Sequence, residues 1–245
     1  MQNGACAIIL AGGRGTRISH LYPDVPKPMI PVAGRPFLEW VIGHLHRQRI
    51  DRFVISLGHL AHVAEAYFAR RPDDGLTIRS VCEQAALGTG GAFQWAATAA
   101  PGTDPLVMVN GDSLLPGDYS AAWTTLRNDD VDGVILAVEV EDASRYGRLQ
   151  IDTRGRLTGF REKQPGGGAI NAGVYFLKRR LLADVPRAAP LSMEIQVFPH
   201  WLARGARIEV HTCQAPFLDI GTPETVALAE EFIRGAGLAA ARFAA

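Results

Sequence analysis

The run ACAIILAGGRG, residues 5–15, sets the terms for what this chain can fold into. A short, continuous apolar segment that stops at glycines suits a strand buried on both faces. Strands of that kind belong to parallel sheets covered by helices. The segments that follow keep the alternation such a sheet needs. Phe37, Leu38, Val41, Ile42 and Leu45 share one helical face, which predicts a helix over Phe37–Arg47. Strands are expected at Arg52–Leu57, Thr77–Cys82 and Leu106–Asn110. Helices at Leu60–Arg70 and Gly88–Ala100 fall between them and are stopped by Pro72 and Pro101. The pattern is that of an α/β, doubly wound sheet with crossover helices. In such sheets ligands bind beyond the carboxyl ends of the strands. The loops Gly12–Arg17, Glu83–Gly90 and Gly111-Asp112 should therefore share one rim.

The second half is less regular. Strands are expected at Val134–Val140, Ala172–Leu177 and Ile208–Thr212, and a hairpin joins Leu149–Ile151 to Leu157–Arg161. Pro223–Ile233 reads as a helix, and Pro165–Gly168 as a mobile loop. The Ala-rich tail either frays or docks on a neighbouring subunit of a homo-oligomer. No repeat and no linker divides the chain, so residues 1–245 are read as one domain. Its 25 basic and 25 acidic side chains cancel. That argues against nucleic acid as a partner, and it leaves room for a local basic pocket. Cys6, Cys82 and Cys213 form no CxxC pair and are read as buried reduced thiols. The start lacks a signal-peptide pattern, and no apolar run approaches the roughly 18 residues of a membrane span. A cytoplasmic protein without a membrane partner is expected.

The loop LAGGRGTRISHLYPDVPKPM, residues 10–29, carries the chemistry. Gly13-Arg14-Gly15-Thr16-Arg17-Ile18 lacks the third glycine of a dinucleotide fingerprint, and no Walker lysine follows. What remains is a backbone that a ligand can approach closely, with two arginines whose donor forks match phosphate oxygens. Lys27 is held between Pro26 and Pro28, poised as a point charge. The plainer reading is a solvated basic loop. His44, His46, His59 and His62 have no third ligand at suitable spacing and are read as solvent-facing.

GGRGTR followed by PKPM resembles the signature of the sugar-1-phosphate nucleotidyltransferases. The resemblance continues in order through LGTGGA (87–92), NGDS (110–113), YG (146–147), EK (162–163), NAG (171–173) and DIGTPE (219–224). It implies a Rossmann-like three-layer sandwich with a mixed, mainly parallel central sheet. The nucleotide half would run to about residue 115 and the sugar half over about 116–235. It also implies attack of a sugar 1-phosphate on the α-phosphorus of a nucleoside triphosphate, with Mg²⁺. Arg17, Lys27 and Asp112 would be catalytic, and Asp112 and Asp219 would hold the metal. Ala11, Gly12, Gly13, Arg14, Gly15, Thr16, Glu83, Gly88 and Thr89 would bind the nucleotide. Gly147, Glu162, Lys163, Asn171 and Gly173 would meet the sugar phosphate. Ile18-Ser19-His20 departs from the pattern, where relatives often carry Leu and a polar spacer. Glu83 stands where thymidylyl relatives read the base with glutamine. A carboxylate accepts only, and guanine offers adjacent N1–H and N2–H₂ donors, so GTP is expected. Within the family, the guanylyltransferases of D-glycero-α-D-manno-heptose 1-phosphate are most similar. N-acetylmuramate-1-phosphate uridylyltransferases and mannose-1-phosphate guanylyltransferases are the alternatives. A catalytically idle nucleotide-sugar-binding subunit is the rival of a different class.

Overall fold

In a computed structural model, residues 4–161 and 165–238 are described. The first half runs β1 (Cys6–Ala11), β2 (Pro31–Val32), β3 (Arg35–Pro36), α1 (Phe37–Arg47), β4 (Arg52–Leu57), α2 (Ala61–Phe68), β5 (Thr77–Cys82), α3 (Gly88–Ala97) and β6 (Leu106–Asn110). The second runs β7 (Ser113–Leu114), α4 (Ser120–Leu126), β8 (Gly133–Val140), β9 (Arg148–Ile151), β10 (Leu157–Arg161), β11 (Gly168–Leu177), α5 (Phe198–Ala203), β12 (Ile208–Thr212), β13 (Leu218–Asp219) and α6 (Pro223–Gly235).

Among the described residues, nine strands form one mixed sheet along the order β10-β9-β11-β6-β1-β4-β5, with β8 beside β11 and β12 beside β8. Strands β6, β1, β4 and β5 are parallel, and β11 is antiparallel to β6. The pleat of β1 explains why its sequence is apolar throughout. Ala7, Ile9 and Ala11 enter the core under α1, α4 and α6, whereas Cys6 and Ile8 enter the core under α3 and α5. The sheet is therefore sandwiched between two helical layers, as expected.

Helix α1 forms where its spacing predicts. Phe37, Leu38, Val41, Ile42 and Leu45 are buried, worth about 2 kcal/mol each by area removed from water. Trp40 Nε1 donates to the Val32 carbonyl at 2.9 Å, tying the helix to β2. Helix α6 starts at a reciprocal cap in which Thr222 and Thr225 exchange side-chain and backbone hydrogen bonds, with Pro223 in the first turn.

Two expectations need correction. The glycine run 165–168 is tied down. Ala143 N–H donates to the Gly166 carbonyl at 2.9 Å, Arg148 Nη1 donates to that of Gly167 at 3.0 Å, and Gly168 opens β11. His44 does not face solvent. It is 5% exposed and meets the Tyr119 ring edge-on at 5.1 Å. His46, two residues on, is exposed and pairs with Asp51 at 2.6 Å. Residues two apart on a helix point to different faces, so one histidine can be core and the other surface. The three cysteines are free as expected, Cys6 buried and the others half-buried.

Burial, reinforced by the Arg47 charge, lowers the His44 pKa from 6.5 to about 4. The unfolded chain then binds the extra proton between those values, so this contribution is whole above pH 6.5 and lost as pH falls towards 4. The shift corresponds to a loss on the order of 3 kcal/mol. Urea unfolding from pH 7 to pH 4 should show a steeper acid loss in the wild type than in His44→Phe. Parallel curves would mean that His44 is not buried neutral.

Candidate active site

The loop after β1 turns sharply because Gly15 adopts φ +58°, and both the Ile18 and Ser19 amides donate to its carbonyl. A Cβ on Gly15 would lie 3.0 Å from the Cβ of Lys27, so this glycine lets the loop rest on the lysine stem. Ile18 is buried and anchors the far side. Pro26 and Pro28 are both buried around the short turn Lys27–Met29, which fixes the lysine backbone.

Lys27 Nζ donates to Asp112 Oδ2 at 2.5 Å, across 85 residues of sequence. Leu10, Ala11, Gly13, Gly15, Thr16, Arg17, Lys27, Pro28, Asp112 and Gly221 line one cleft of about 220 Å³. Arg14 and Arg17 are exposed, and among the described residues neither pairs with an acid. The cleft thus offers the Arg17 guanidinium, without an acid partner among the described residues, beside a lysine already engaged with a carboxylate.

Asp219 lies beside the cleft, against the lining residue Gly221. In the β13–β7 pair it stands opposite Ser113, and the Ile220 amide donates to the Asp112 carbonyl at 3.0 Å. Tyr146 donates its hydroxyl to Asp219 Oδ2, the Gly221 amide donates to Oδ1 at 2.9 Å, and Arg145 approaches at 3.7 Å. Burial, then the hydrogen bond and charge of Asp219, push the Tyr146 phenol upward, so it stays protonated and donating. A Cβ on Gly221 would lie 3.4 Å from Arg17 Nη2. Asp112, just before β7, and Asp219, on β13, are carboxylates, the hard-oxygen type that Mg²⁺ prefers. Among the described residues no group of three or more His, Cys, Asp or Glu that could hold a metal ion occurs.

Gly12 sits against Glu83, and a Cβ there would meet Oε1 at 2.5 Å. Glu83 is held by Ser56 Oγ at 3.0 Å and by the Leu87 amide at 3.1 Å. The loops after β1, β5 and β6 therefore do share one rim. Gly88 and Thr89 have additional duties. Gly88 adopts φ +72° with Leu191 O only 2.5 Å from an added Cβ, and Thr89 Oγ1 accepts from the Met193 amide at 2.9 Å. Gly147 has only the Arg161 carbonyl near an added Cβ, at 3.5 Å, so the fold itself does not demand a glycine there. Asn171 and Gly173 lie at an irregularity in the β11–β8 ladder. Gly173, at φ +72°, leaves no room for a Cβ beside Asn110 Nδ2, 2.7 Å away. Glu162 and Lys163 lie outside the described residues. Sequence reasoning attached no role to Tyr146, Arg145 or Glu194, whose partners are distant in the chain, nor to Tyr175, whose hydroxyl accepts from Asn171 four residues earlier.

The nucleotidyl transferase family model matches residues 6–235. The chain belongs to that family. It is 33% identical over 232 residues to the mannose-1-phosphate guanylyltransferase of Mycobacterium tuberculosis, matching 94% of this chain and 63% of that protein, so it spans less than two thirds of that relative. It is 31% identical to the D-glycero-alpha-D-manno-heptose 1-phosphate guanylyltransferase of Aneurinibacillus thermoaerophilus, over 89% of this chain and 94% of the relative. The crystal structure of HddC from Yersinia pseudotuberculosis complexed with GMP-PN superposes with a TM-score of 0.78 at 32% identity, over 92% and 98% of the two chains. A Bacillus anthracis structure described as a putative glucose-1-phosphate thymidylyltransferase, 20% identical with a TM-score of 0.82, shares the fold. For this nucleotidyl transferase family member, both the expected family and the expected fold hold. Among the described residues no helix is long and apolar enough to cross a membrane.

The glycines separate two kinds of demand. An added methyl on Gly88 meets backbone, whereas one on Gly13 meets nothing within 4 Å. Gly88→Ala should lose about 1–3 kcal/mol of stability. Gly13→Ala should unfold at the wild-type temperature and show its defect only as a raised KM for the nucleotide. A Gly13→Ala protein with unchanged kinetics would remove that glycine from nucleotide binding.

Proposed function

We propose that this chain transfers a guanylyl group from GTP to D-glycero-α-D-manno-heptose 1-phosphate in the cytoplasm, with Mg²⁺ as cofactor. The observation that carries the reading is the cleft lined by Arg17, Lys27 and Asp112, with Asp219 held against Gly221 at its edge. A phosphate oxygen of the sugar 1-phosphate attacks the α-phosphorus of GTP. A P–O bond forms there, the α-phosphorus loses its bond to the bridging oxygen, and pyrophosphate leaves. Both reactants are anions, so positioning and charge neutralisation supply most of the catalysis, with no covalent enzyme intermediate. Arg17, helped by Arg14, clamps the triphosphate and then the departing pyrophosphate. Lys27 bridges the α-phosphate and the attacking phosphate, exchanging its contact with Asp112 for phosphate oxygens. Asp112 and Asp219 would hold the magnesium ion, which when bound neutralises phosphate charge and orders the triphosphate. Glu83 accepts from the guanine donors, and the sugar phosphate lies towards Gly147, Asn171 and Gly173.

Two guanylyltransferase relatives and the GMP-PN complex of HddC support guanine as the base. The full-length match to a heptose 1-phosphate enzyme favours that sugar, and the mannose 1-phosphate enzyme makes mannose the second candidate.

The test is pyrophosphate release with Mg²⁺, crossing GTP, UTP, CTP, dTTP and ATP with the heptose, mannose and N-acetylmuramate 1-phosphates. Fastest release with GTP and the heptose supports the reading. Preference for UTP keeps the chemistry and removes the Glu83 argument, and no release with any pair promotes an idle binding subunit. Lys27→Ala should cut kcat by about 100- to 1,000-fold with little change in thermal midpoint. Asp219→Asn should shift the Mg²⁺ titration to higher concentration. An unchanged titration would leave Asp219 as a partner of Tyr146 only.

A further inference from the structure

A single turn of π-helix, Met193–Val197, interrupts the approach to α5. Such turns are rare and are found mostly at functional sites. The turn is fixed from two directions. On one side Leu191 exchanges backbone hydrogen bonds with the start of α3, donating to Leu87 O at 2.7 Å and accepting from the Gly90 amide at 2.7 Å. Met193 and Val197 are buried beneath it. On the other side the half-buried Glu194 accepts from Asn171 Nδ2 at 2.6 Å. The Asn171 amide has one orientation here. Its Oδ1 accepts from the Gly173 amide at 3.0 Å, so its nitrogen faces both Glu194 and the Tyr175 hydroxyl, the latter at 2.6 Å.

Among the described residues Glu194 has no basic partner, and a single amide donor leaves most of its acceptor capacity unused. Its neighbourhood adjoins the transfer centre. Gly173 abuts Asn110, two residues before Asp112, and the charges of both Glu194 and Asp112 add to burial in raising the Tyr175 phenol. A carboxylate that needs donors, beside an anionic transfer site, cannot be there for phosphate, which offers none at neutral pH. Sugar hydroxyls are donors.

We propose that Glu194 reads the sugar: its carboxylate accepts a ring hydroxyl of the bound sugar 1-phosphate and so helps set which sugar is used. This rests on the nucleotidyl transfer proposed above. The geometry further couples the reading to the nucleotide side, because Leu191 and Met193 of the same segment grip the loop at Gly88–Gly90.

The experiment compares wild type with Glu194→Gln, which keeps an oxygen for Asn171, and Glu194→Asp, which withdraws the charge by one methylene. Steady-state kinetics should show KM for the sugar 1-phosphate raised about 10- to 100-fold in Glu194→Gln, with KM for GTP unchanged. Monodeoxy analogues of the accepted sugar locate the hydroxyl. The analogue lacking it should lose affinity in the wild type and lose nothing further in Glu194→Gln. An unchanged sugar KM, or the same loss for every analogue in both proteins, overturns the proposal. Calorimetric binding of mannose 1-phosphate and the heptose 1-phosphate, with a non-hydrolysable GTP analogue present, needs no turnover. Binding that weakens in Glu194→Gln upholds the role of Glu194 even if the wild type releases no pyrophosphate. No binding by the wild type overturns both readings.

Discussion

The contact between Lys27 and Asp112 holds the site together. It joins the loop after the central strand to the end of its neighbour β6, and it does so with opposite charges at 2.5 Å. The lysine is the more enclosed partner, with its side chain 12% exposed against 36% for the aspartate. A cation in that position needs a counter-charge while no phosphate is bound, because an isolated buried ammonium is costly. Asp112 supplies it. Arg14 and Arg17 are exposed and, among the described residues, have no acid partner, so their charge is free for the anion of the proposed reaction.

The same economy governs the glycines. Gly12, Gly15, Gly88 and Gly173 each lie where a Cβ would strike another part of the site: Glu83, the Lys27 stem, Leu191 and Asn110. They bring chain segments together, and ligand access is a consequence of where those segments then sit. Gly13 and Gly147 differ: among the described residues an added Cβ meets nothing within 4 Å at Gly13 and only the Arg161 carbonyl, at 3.5 Å, at Gly147.

Much of this was legible in the sequence because the governing pattern is local. Strands β1, β4 and β6 are buried along most of their length and read as apolar runs bounded by glycine or polar residues. Helix α1 carries its core face within one heptad and a half, and its observed bounds match the reading. The motifs around Arg17, Lys27, Asp112 and Asp219 could be found in order, but not their contacts, such as Lys27 with Asp112 across 85 positions and Tyr146 with Asp219 across 73. His44 was misread because a histidine beside another histidine carries no sign of which face is buried. That is set by Tyr119, far along the chain. The π-turn was invisible for a related reason. Met193–Val197 has no periodicity of its own, and it is shaped by bonds to Thr89 and by Asn171 on β11.

Glu83 has a structural role beside the base contact proposed for it. Its two carboxylate oxygens each accept one hydrogen bond from the protein, from Ser56 and from the Leu87 amide, and each retains a free lone pair. The carboxylate is thereby locked in plane and rotamer while remaining an acceptor at both oxygens. A base that presents two adjacent donors meets such a group without further ordering cost, whereas a donor–acceptor edge brings one acceptor against another. The Leu87 amide that locks Glu83 also leads into the segment gripped by Leu191, and that segment carries Glu194. The proposed base and sugar contacts are thus linked through the backbone bonds between Leu191 and the Leu87–Gly90 segment, so a change at residue 191 should disturb both, while a change at either carboxylate should disturb its own.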